Sequence, residues 1–213
     1  MEQKNEKLMI FLAGEVLNKR NLLKMIHDQN WVFYAADGGY LLAESLGITP
    51  KKIIGDFDSA VRPDRKNILV FPSEKDETDS ELALLLAEKD GFKDICMVAP
   101  FGGRMDHTVA NLCLLESAEN RGLHLTLYDG INRIQLVDND KMILSPHYRY
   151  VSFFPWGEEA EILLTDFKYS INHYTLQRYK PIGVSNEPSG IEPTITVHRG
   201  KVLCVCVERQ EEL

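Results

Sequence analysis

Short apolar segments alternate with helical stretches over the first two-thirds of the 213-residue chain, and this alternation constrains the fold most. Strand-like runs begin with Lys7–Ala13 (KLMIFLA) and Trp31–Ala36 (WVFYAA), and helical patterns such as Val16–Gln29 separate them. The best helix is predicted over Thr78–Lys89, which starts with a Thr-x-x-Glu capping box. Further strands are predicted at Ile53–Ile54, Ile68–Phe71, Asp94–Ala99 and Leu123–Tyr128, and further helices at Tyr40–Leu46 and His107–Glu119. Continuously apolar strands joined by helices predict a parallel sheet with helical crossovers.

The pattern changes near residue 130, after which no helical period persists. Strands are predicted at Arg133–Val137, Tyr150–Phe154, Ala160–Leu164, Thr194–His198 and Val202–Val207. Turn residues separate these strands, which is typical of an antiparallel sandwich or small barrel. We therefore expect an α/β protein with a parallel-sheet, Rossmann-like three-layer domain (1–132) followed by an antiparallel β-sandwich (133–213). Trp156, between Pro155 and Gly157, is predicted to pack within the second domain.

Charge, hydropathy and cysteine usage narrow the class of protein. The net charge of −8 disfavours binding to nucleic acid or anionic lipid through bulk charge. No apolar run approaches the roughly 20 residues of a membrane-spanning helix, and the first residues lack the apolar core of a signal peptide. The four cysteines, which lack zinc-site spacing, are interpreted as small core residues in a reducing compartment. They are Cys96, Cys113, Cys204 and Cys206. We expect a cytoplasmic protein that contacts neither nucleic acid nor membrane.

Acidic side chains follow several of the predicted strands, at the points where helices begin. Four segments share this placement: Asp37-Gly38-Gly39, Asp56-Phe57-Asp58-Ser59, Lys75-Asp76-Glu77-Thr78-Asp79 and Gly102-Gly103-Arg104-Met105-Asp106-His107. In a parallel sheet these loops meet at the carboxyl edge, where ligands bind. Converging carboxylates without compensation would be costly, so the sequence predicts a cation site at this edge.

The same edge carries groups suited to anions. Gly38-Gly39 and Gly102-Gly103 allow close approach of the backbone and permit positive φ. A helix is predicted to begin after Gly103, and its N-terminus offers free N–H groups. Arg104 supplies a planar fork for phosphate oxygens. Acids beside a phosphate cradle predict a Mg²⁺–polyphosphate site. Some of these residues also suit structural roles, since Asp79 fits the first turn of any helix and Asp106 fits a cap.

Taken together, these segments resemble the thiamin pyrophosphokinase family, whose members transfer the pyrophosphoryl group of ATP to thiamin. The resemblance spans nearly the whole chain in the family's order. It rests on Ala36-Asp37-Gly38-Gly39, Ile54-Gly55-Asp56-Phe57-Asp58-Ser59, Lys75-Asp76, Thr78-Asp79, Gly102-Gly103-Arg104-Met105-Asp106-His107, Asn111 and Gly183-Val184-Ser185-Asn186-Glu187. The family's homodimer, with an α/β nucleotide domain and a C-terminal sandwich, agrees with the break near residue 130.

The resemblance implies a role for individual residues. Asp37, Asp56, Asp58 and Asp79 are implied as the catalytic acids, the last three as Mg²⁺ ligands. The implied ATP site contains Gly38, Gly39, Asp76, Gly102, Gly103, Arg104, Asp106, His107 and Asn111. Ser185 and Asn186 are implied in a thiamin pocket formed between two subunits. Animal members stack thiamin on a Trp near the C-terminus; Thr194–Val207 has none here, so we expect His198 or an apolar residue in its place.

Three other functions use parts of the same pattern. A Mg²⁺-dependent phosphatase would use an Asp-x-Asp after the first strand, where this chain has Ala13-Gly14-Glu15. A sugar-nucleotide transferase would use Asp56-Phe57-Asp58 for its metal but leaves Gly102–His107 unexplained. A non-catalytic nucleotide or thiamin sensor would keep the pockets without the chemistry.

Overall fold

The protein, seen in a computed structural model that describes residues 6–56, 68–70, 72 and 76–210, divides into two compact units. The first unit is Met1–Gly130 and the second is Ile131–Leu213. The strands of the first unit are β1 (Lys7–Phe11), β2 (Trp31–Ala36), β3 (Lys52–Gly55), β4 (Ile68–Val70), β5 (Asp94–Val98) and β6 (His124–Tyr128). Its helices are α1 (Lys19–His27), α2 (Gly39–Ser45), α3 (Asp79–Lys89) and α4 (Met105–Glu119).

The strands of the first unit form a parallel sheet in the order β4-β3-β2-β1-β5-β6. β1 lies in the middle of this order and pairs with β2 on one side and with β5 on the other. The chain fills one side of β1 first and then crosses to the other side. The gap between the ends of β1 and β5 is therefore a topological switch point, where open parallel sheets bind ligands.

Each strand of this sheet presents alternate side chains to its two faces. Met9 and Phe11 of β1 pack in a core cluster with Leu22 of α1 and Ala43 of α2. On the other face, the hydroxyl of Tyr34 in β2 donates a 2.6 Å hydrogen bond to Asp90 Oδ2 just beyond α3. Burial raises the pKa of this tyrosine, as does the neighbouring carboxylate. Helices therefore cover both faces, which confirms the predicted three-layer arrangement.

The second unit is an antiparallel sandwich. Its strands are β7 (Asn132–Asp138), β8 (Lys141–Ile143), β9 (Tyr148–Pro155), β10 (Glu159–Thr165), β11 (Ile171–Gln177), β12 (Thr194–Arg199) and β13 (Lys201–Glu208). One sheet has the order β7-β13-β9 and the other the order β11-β10-β12-β8. Val151, Phe153 and Cys204 of the first sheet and Ile162 and Ile195 of the second form one buried cluster. The sequence-predicted fold class is thus confirmed.

The sequence located most element cores but missed two strands of the second unit. β8 has three residues, and its outer positions Lys141 and Ile143 are exposed. β11 has three consecutive exposed residues, Asn172–Tyr174, so the alternation that marks a half-buried strand is lost. A register shift against β10 and the positive φ of His173 (48°) account for this break.

Helix ends and cysteines complete the comparison with the sequence. The predicted capping box forms, since Thr78 Oγ1 accepts a 3.2 Å hydrogen bond from the N–H of Glu81. Cys96, Cys204 and Cys206 are buried as free thiols, but Cys113 is exposed on α4, so its prediction as a core residue is wrong. None of the described helices is both long enough and apolar enough to cross a membrane.

Candidate active site

Two of the acidic loops are adjacent because β2 and β3 are neighbouring parallel strands. Ala36, the last residue of β2, pairs with Ile54 of β3. Asp37 therefore lies beside Gly55, which directly precedes Asp56 in the chain. The N–H of Asp37 donates a 2.7 Å hydrogen bond to the carbonyl of Ile54. This bond fixes the start of the loop after β2 against the end of β3.

Asp79 reaches the same part of the sheet edge from the start of α3. A Cβ placed on Gly55 would lie 3.2 Å from Cα of Asp37 and 3.6 Å from Oδ2 of Asp79. Asp37 and Asp79 therefore flank Gly55, and Asp56 is the next residue along the chain. The backbone of Asp37 and the carboxylate of Asp79 thus lie close to Gly55, the residue before Asp56, although the three acids come from separate parts of the chain.

The fourth acid, Asp58, lies outside the described residues, as does Lys75. Asp76, predicted at the ATP site, is exposed two residues before the N-cap of α3. Among the described residues, no three His, Cys, Asp or Glu side chains are grouped closely enough to hold a metal ion. Mg²⁺ usually takes one or two carboxylates and completes its shell with water and phosphate oxygens. The donor types of Asp56 and Asp79 therefore fit a magnesium ion that is bound together with a polyphosphate.

The backbone strain at this edge falls on residues other than the predicted glycines. Gly38 has a φ of −62°, and neither Gly39 nor Gly102-Gly103 adopts a positive φ. The positive values occur at Asp37 (45°) and Ala99 (56°), which follow β2 and β5 directly. Non-glycine residues in this region cost about 1–3 kcal/mol each and cluster at binding and catalytic sites. The positive φ that these glycines permit is therefore not used at this edge.

Glycines are instead needed for close backbone packing around the switch point. A Cβ on Gly39 would lie 2.0 Å from the carbonyl oxygen of Phe11, so α2 begins directly against the end of β1. A Cβ on Gly14 would lie 2.2 Å from the carbonyl oxygen of Phe101. The N–H of Glu15 donates a 2.6 Å hydrogen bond to that same carbonyl. The loops after β1 and β5 thus pack tightly against each other.

Asn111 supports the loop after β5 from within α4. Its side chain is 6% exposed, and its Nδ2 donates a 2.7 Å hydrogen bond to the carbonyl of Pro100. This bond holds the start of the Gly102–His107 segment in position. Direct contact between Asn111 and a nucleotide stays a prediction, and the observed bond indicates a positioning role.

Arg104 and Asp106 form an ion pair at the start of α4. Nη2 of Arg104 lies 2.6 Å from Oδ2 of Asp106, and Nε donates to Oδ1 at 3.2 Å. The guanidinium, helped by the N–H of His107, lowers the pKa of Asp106 to about 2. Both side chains are mostly exposed, at 72% and 65%. The arginine is therefore held at the switch point in a solvent-accessible position, and His107 is also exposed.

In the second unit, Asn186 is fully engaged with the backbone of the sandwich. Its Oδ1 accepts a hydrogen bond from the N–H of Tyr169 and its Nδ2 donates to the carbonyl of the same residue, at 3.1 and 2.9 Å. Ser185 is exposed, has a φ of 59°, and its N–H donates to Oγ of Ser152 at 3.0 Å. Asn186 therefore fixes the loop that presents Ser185.

A cavity of about 320 Å³, named here the sandwich cavity, opens beside this loop. Its interior is apolar and includes Ile162 and Leu164 of β10. Tyr169, Tyr174 and Val184, which are 62%, 38% and 49% exposed, line its mouth. This volume lies at the lower end of the roughly 300–1,000 Å³ of small-molecule pockets. The sandwich cavity can take one flat ring system with little polar contact.

Some candidate residues were missed or misplaced by the sequence. Asp129 follows β6, is 2% exposed, and its carbonyl accepts a 2.7 Å hydrogen bond from the N–H of Leu17. It precedes strand β7 and not a helix, so the pattern that singled out Asp37 does not include it. The sequence did not identify Tyr174 as a binding residue, because a cavity between two sheets leaves no pattern in the sequence. His198 does not line the sandwich cavity; it stacks on His173 with ring centroids 4.5 Å apart.

Comparison with known proteins gives the family to which this arrangement belongs. A family model described as the thiamin pyrophosphokinase catalytic domain matches residues 23–127, inside the first unit. A second, described as the thiamin pyrophosphokinase vitamin B1 binding domain, matches residues 136–202, inside the second unit. A curated relative, the thiamine pyrophosphokinase of Bacillus subtilis (strain 168), is 29% identical over 188 residues, which cover 84% of this chain and 88% of the relative.

Solved structures have the same fold. The crystal structure of thiamin pyrophosphokinase from Geobacillus thermodenitrificans superposes with a TM-score of 0.83 at 26% identity, covering 97% of this chain and 100% of that one. The crystal structure of thiamine pyrophosphokinase from Bacillus subtilis has a TM-score of 0.86 at 24% identity, covering 96% of this chain and 100% of that one. The crystal structure of yeast thiamin pyrophosphokinase has a TM-score of 0.77 at 16% identity, and the match covers 97% of this chain and 87% of that one.

The fold and the comparisons define a transferase of the kinase class with an α/β unit and a sandwich unit. The chain belongs to the thiamin pyrophosphokinase family. The phosphatase, sugar-nucleotide transferase and sensor hypotheses gain no support from these comparisons.

Proposed function

We propose that this protein transfers the diphosphate group of ATP to the hydroxyl of thiamin, giving thiamin diphosphate and AMP. The observation that carries the proposal is that Asp37 and Asp79 lie on either side of Gly55. Gly55 is the residue that directly precedes Asp56. Family membership supplies the substrates, and this geometry supplies acids at the sheet edge where a nucleotide binds.

Each unit is proposed to hold one substrate. Residues 1–132 form the nucleotide-binding catalytic domain, and residues 133–213 form the thiamin-binding domain. The positions of the two family-model matches support this division. The switch point between β1 and β5 would take the nucleotide, with Gly38, Gly39, Gly102 and Gly103 close to it.

Asp56, Asp58 and Asp79 are proposed to hold Mg²⁺ at the polyphosphate. The bound ion would neutralise phosphate charge and make the β-phosphorus more electrophilic. The thiamin hydroxyl oxygen forms a bond to the β-phosphorus, while the bond from that phosphorus to the oxygen retained by AMP breaks. Asp37 or Asp79 accepts the hydroxyl proton. Positioning and charge neutralisation supply most of the rate in such transfers.

Arg104 is proposed to contact phosphate oxygens after leaving Asp106. The exposed ion pair supports this exchange, since exposed pairs are weak and are easily replaced. Asp106 and His107 would then hold the loop, and Asn111 would anchor its start at Pro100. Asp76 would complete the nucleotide site.

Thiamin is proposed to bind at the mouth of the sandwich cavity, near Ser185 and Asn186. Tyr169 or Tyr174 would provide the aromatic surface that animal members obtain from a C-terminal Trp. A partner subunit would complete the pocket in a homodimer. We place the protein in the cytoplasm, where ATP and Mg²⁺ are available.

One assay tests the activity against its alternatives. The protein is incubated with ATP, Mg²⁺ and thiamin, and the products are separated, with magnesium omitted as a control. Equal amounts of AMP and thiamin diphosphate, formed only with magnesium, support the proposal. Inorganic phosphate without thiamin diphosphate would instead identify a phosphatase, and tight binding without turnover would identify a sensor.

A further inference from the structure

We propose that the second unit contains a second small-molecule site that binds a small aromatic anion, an aryl or heteroaryl phosphate. This site, named here the hairpin cavity, lies at the tip of the β9–β10 hairpin and has a volume of about 260 Å³. Its key lining residues are Phe154, Trp156, Arg178 and Lys180. Its aromatic and cationic residues take no part in the proposed transfer reaction, although part of its apolar wall is shared with the sandwich cavity.

The hairpin cavity has a fixed aromatic wall. Trp156 is half-buried, and its backbone N–H donates a 2.8 Å hydrogen bond to the carbonyl of Lys201, which holds the hairpin tip against β13. A Cβ on Gly183 would lie 2.4 Å from the carbonyl oxygen of Phe153, so the backbone on the far side is also closely packed. A flat ring can therefore lie against aromatic and apolar surface without rearrangement of the walls.

Two cations line the same cavity. The N–H of Arg178 donates to the carbonyl of Glu158 at 2.9 Å, and the N–H of Lys180 donates to Gln177 at 2.9 Å. These bonds fix the backbone from which both side chains extend to the cavity. Arginine and lysine side chains together suit a phosphate group, with the guanidinium giving paired hydrogen bonds.

These cations differ from their neighbours because no carboxylate of the described residues pairs with either of them. Other cations of the second unit do have such partners: Lys168 lies 2.7 Å from Glu187, and Arg199 lies 2.8 Å from Glu159. Two positive charges that pair with no carboxylate of the described residues therefore lie beside an aromatic wall, in a chain of net charge −8. Together they select a ligand that combines a ring with negative charge.

The size of the cavity limits the ligand. Its volume lies just below the roughly 300–1,000 Å³ of pockets for drug-sized molecules. One ring and one phosphate therefore fit better than a dinucleotide. The hairpin cavity also shares Phe153, Leu176 and Gly183 with the sandwich cavity, so a ligand here contacts the wall of the proposed thiamin pocket.

Tryptophan fluorescence gives a direct test, because the chain has two tryptophans and Trp31 lies in the other unit. The variant Trp31→Phe leaves Trp156 as the reporter. We expect phenyl phosphate to change this fluorescence saturably, with an affinity about tenfold or more above those of benzyl alcohol and inorganic phosphate. The affinity should fall as salt is added.

Charge variants separate this site from any other that binds phosphate. In the Trp31→Phe background, Arg178→Gln with Lys180→Gln should weaken phenyl phosphate binding about tenfold or more. Arg209→Gln, at an exposed arginine outside the cavity, should leave it unchanged. Absence of saturable binding, equal affinity for benzyl alcohol or inorganic phosphate, or unchanged binding in the double variant would each overturn the proposal.

Discussion

In the first unit the candidate acids that the structure describes, Asp37, Asp56 and Asp79, lie just beyond the ends of strands or at the start of a helix, whereas in the second unit the candidate binding surface is a cavity between two sheets. The acids are polar and partly exposed, and their positions follow from strand order and register. The sandwich cavity is apolar, and its lining is drawn from separate strands and a loop. The first unit should therefore tolerate loss of its acids without unfolding, while the second should show its role through substrate affinity.

The largest expected effect is on turnover in the first unit. Asp56→Asn or Asp79→Asn should lower AMP formation by about 10²–10³-fold or more, since loss of one preorganised electrostatic group typically costs that much. Unfolding of either variant, followed by circular dichroism, should remain cooperative and near wild type. Asp94→Asn is the matched control, because Asp94 begins β5 at the opposite edge of the sheet. Near-normal turnover in both variants would remove these acids from the mechanism.

A smaller effect is expected on the free energy of unfolding, which should distinguish a glycine packed against backbone from a glycine with open space around its Cβ position. Gly39→Ala should lower the free energy of unfolding by about 1–3 kcal/mol or more, because the new Cβ would meet a backbone oxygen that cannot move aside. That oxygen belongs to Phe11 and lies 2.0 Å from the Cβ position. Gly103→Ala is the control, since nothing lies within 4 Å of its Cβ position. Chemical denaturation measures both variants, and equal stability would contradict the packing role of Gly39.

In the second unit, Tyr174→Ala should raise the KM for thiamin about tenfold with kcat nearly unchanged. The ring contributes about 0.5–1.5 kcal/mol through aromatic contact, together with the area it buries. Tyr179→Ala serves as a control, since Tyr179 is 80% exposed and lies outside the sandwich cavity. Steady-state kinetics with varied thiamin distinguishes them. A fall in kcat at constant KM would place Tyr174 in the chemistry and break the contrast between the units.

The smallest effect concerns the exposed ion pair. The folded pKa of Asp106, about 2, lies below its ordinary value of 3.8, so the pair's contribution to stability is present above about pH 4 and is lost as the pH falls toward 2. Arg104→Gln should return this pKa toward 3.8, as followed by NMR titration of the carboxyl carbon. Arg121→Gln, which breaks a separate pair with Glu88, should leave the Asp106 pKa unchanged. A pKa that stays near 2 without Arg104 would assign the shift to the helix instead.

The sequence predicted features that depend on local pattern or on strand ends. The alternation of strands and helices predicted the α/β fold. The acids that follow β2 and β3 predicted that acidic residues would lie near one another at the carboxyl edge of the sheet. Asp129 also follows a strand, but it precedes β7 and not a helix, so it lies outside that pattern. The sequence did not indicate where the positive φ values at this edge would fall, because they occur at Asp37 and Ala99 although the neighbouring glycines permit them more readily.

Other features had no sequence pattern at all. β11 was missed because His173 breaks its alternation with a positive φ. Tyr169, Tyr174 and Trp156 are separated along the chain, and only the packing of two sheets brings them to the two cavities. A cavity forms where side chains from different strands leave space between them, and the local pattern of one sequence does not predict such a space.

The most direct measurement is the affinity for ATP with and without magnesium, by calorimetry, in the wild type and in Asp79→Asn. If the edge acids hold the ion that receives the polyphosphate, magnesium will tighten ATP binding to the wild type, and this tightening will be lost in Asp79→Asn but kept in Asp94→Asn. If magnesium tightens ATP binding equally in all three proteins, the acids do not hold the ion and the account is contradicted.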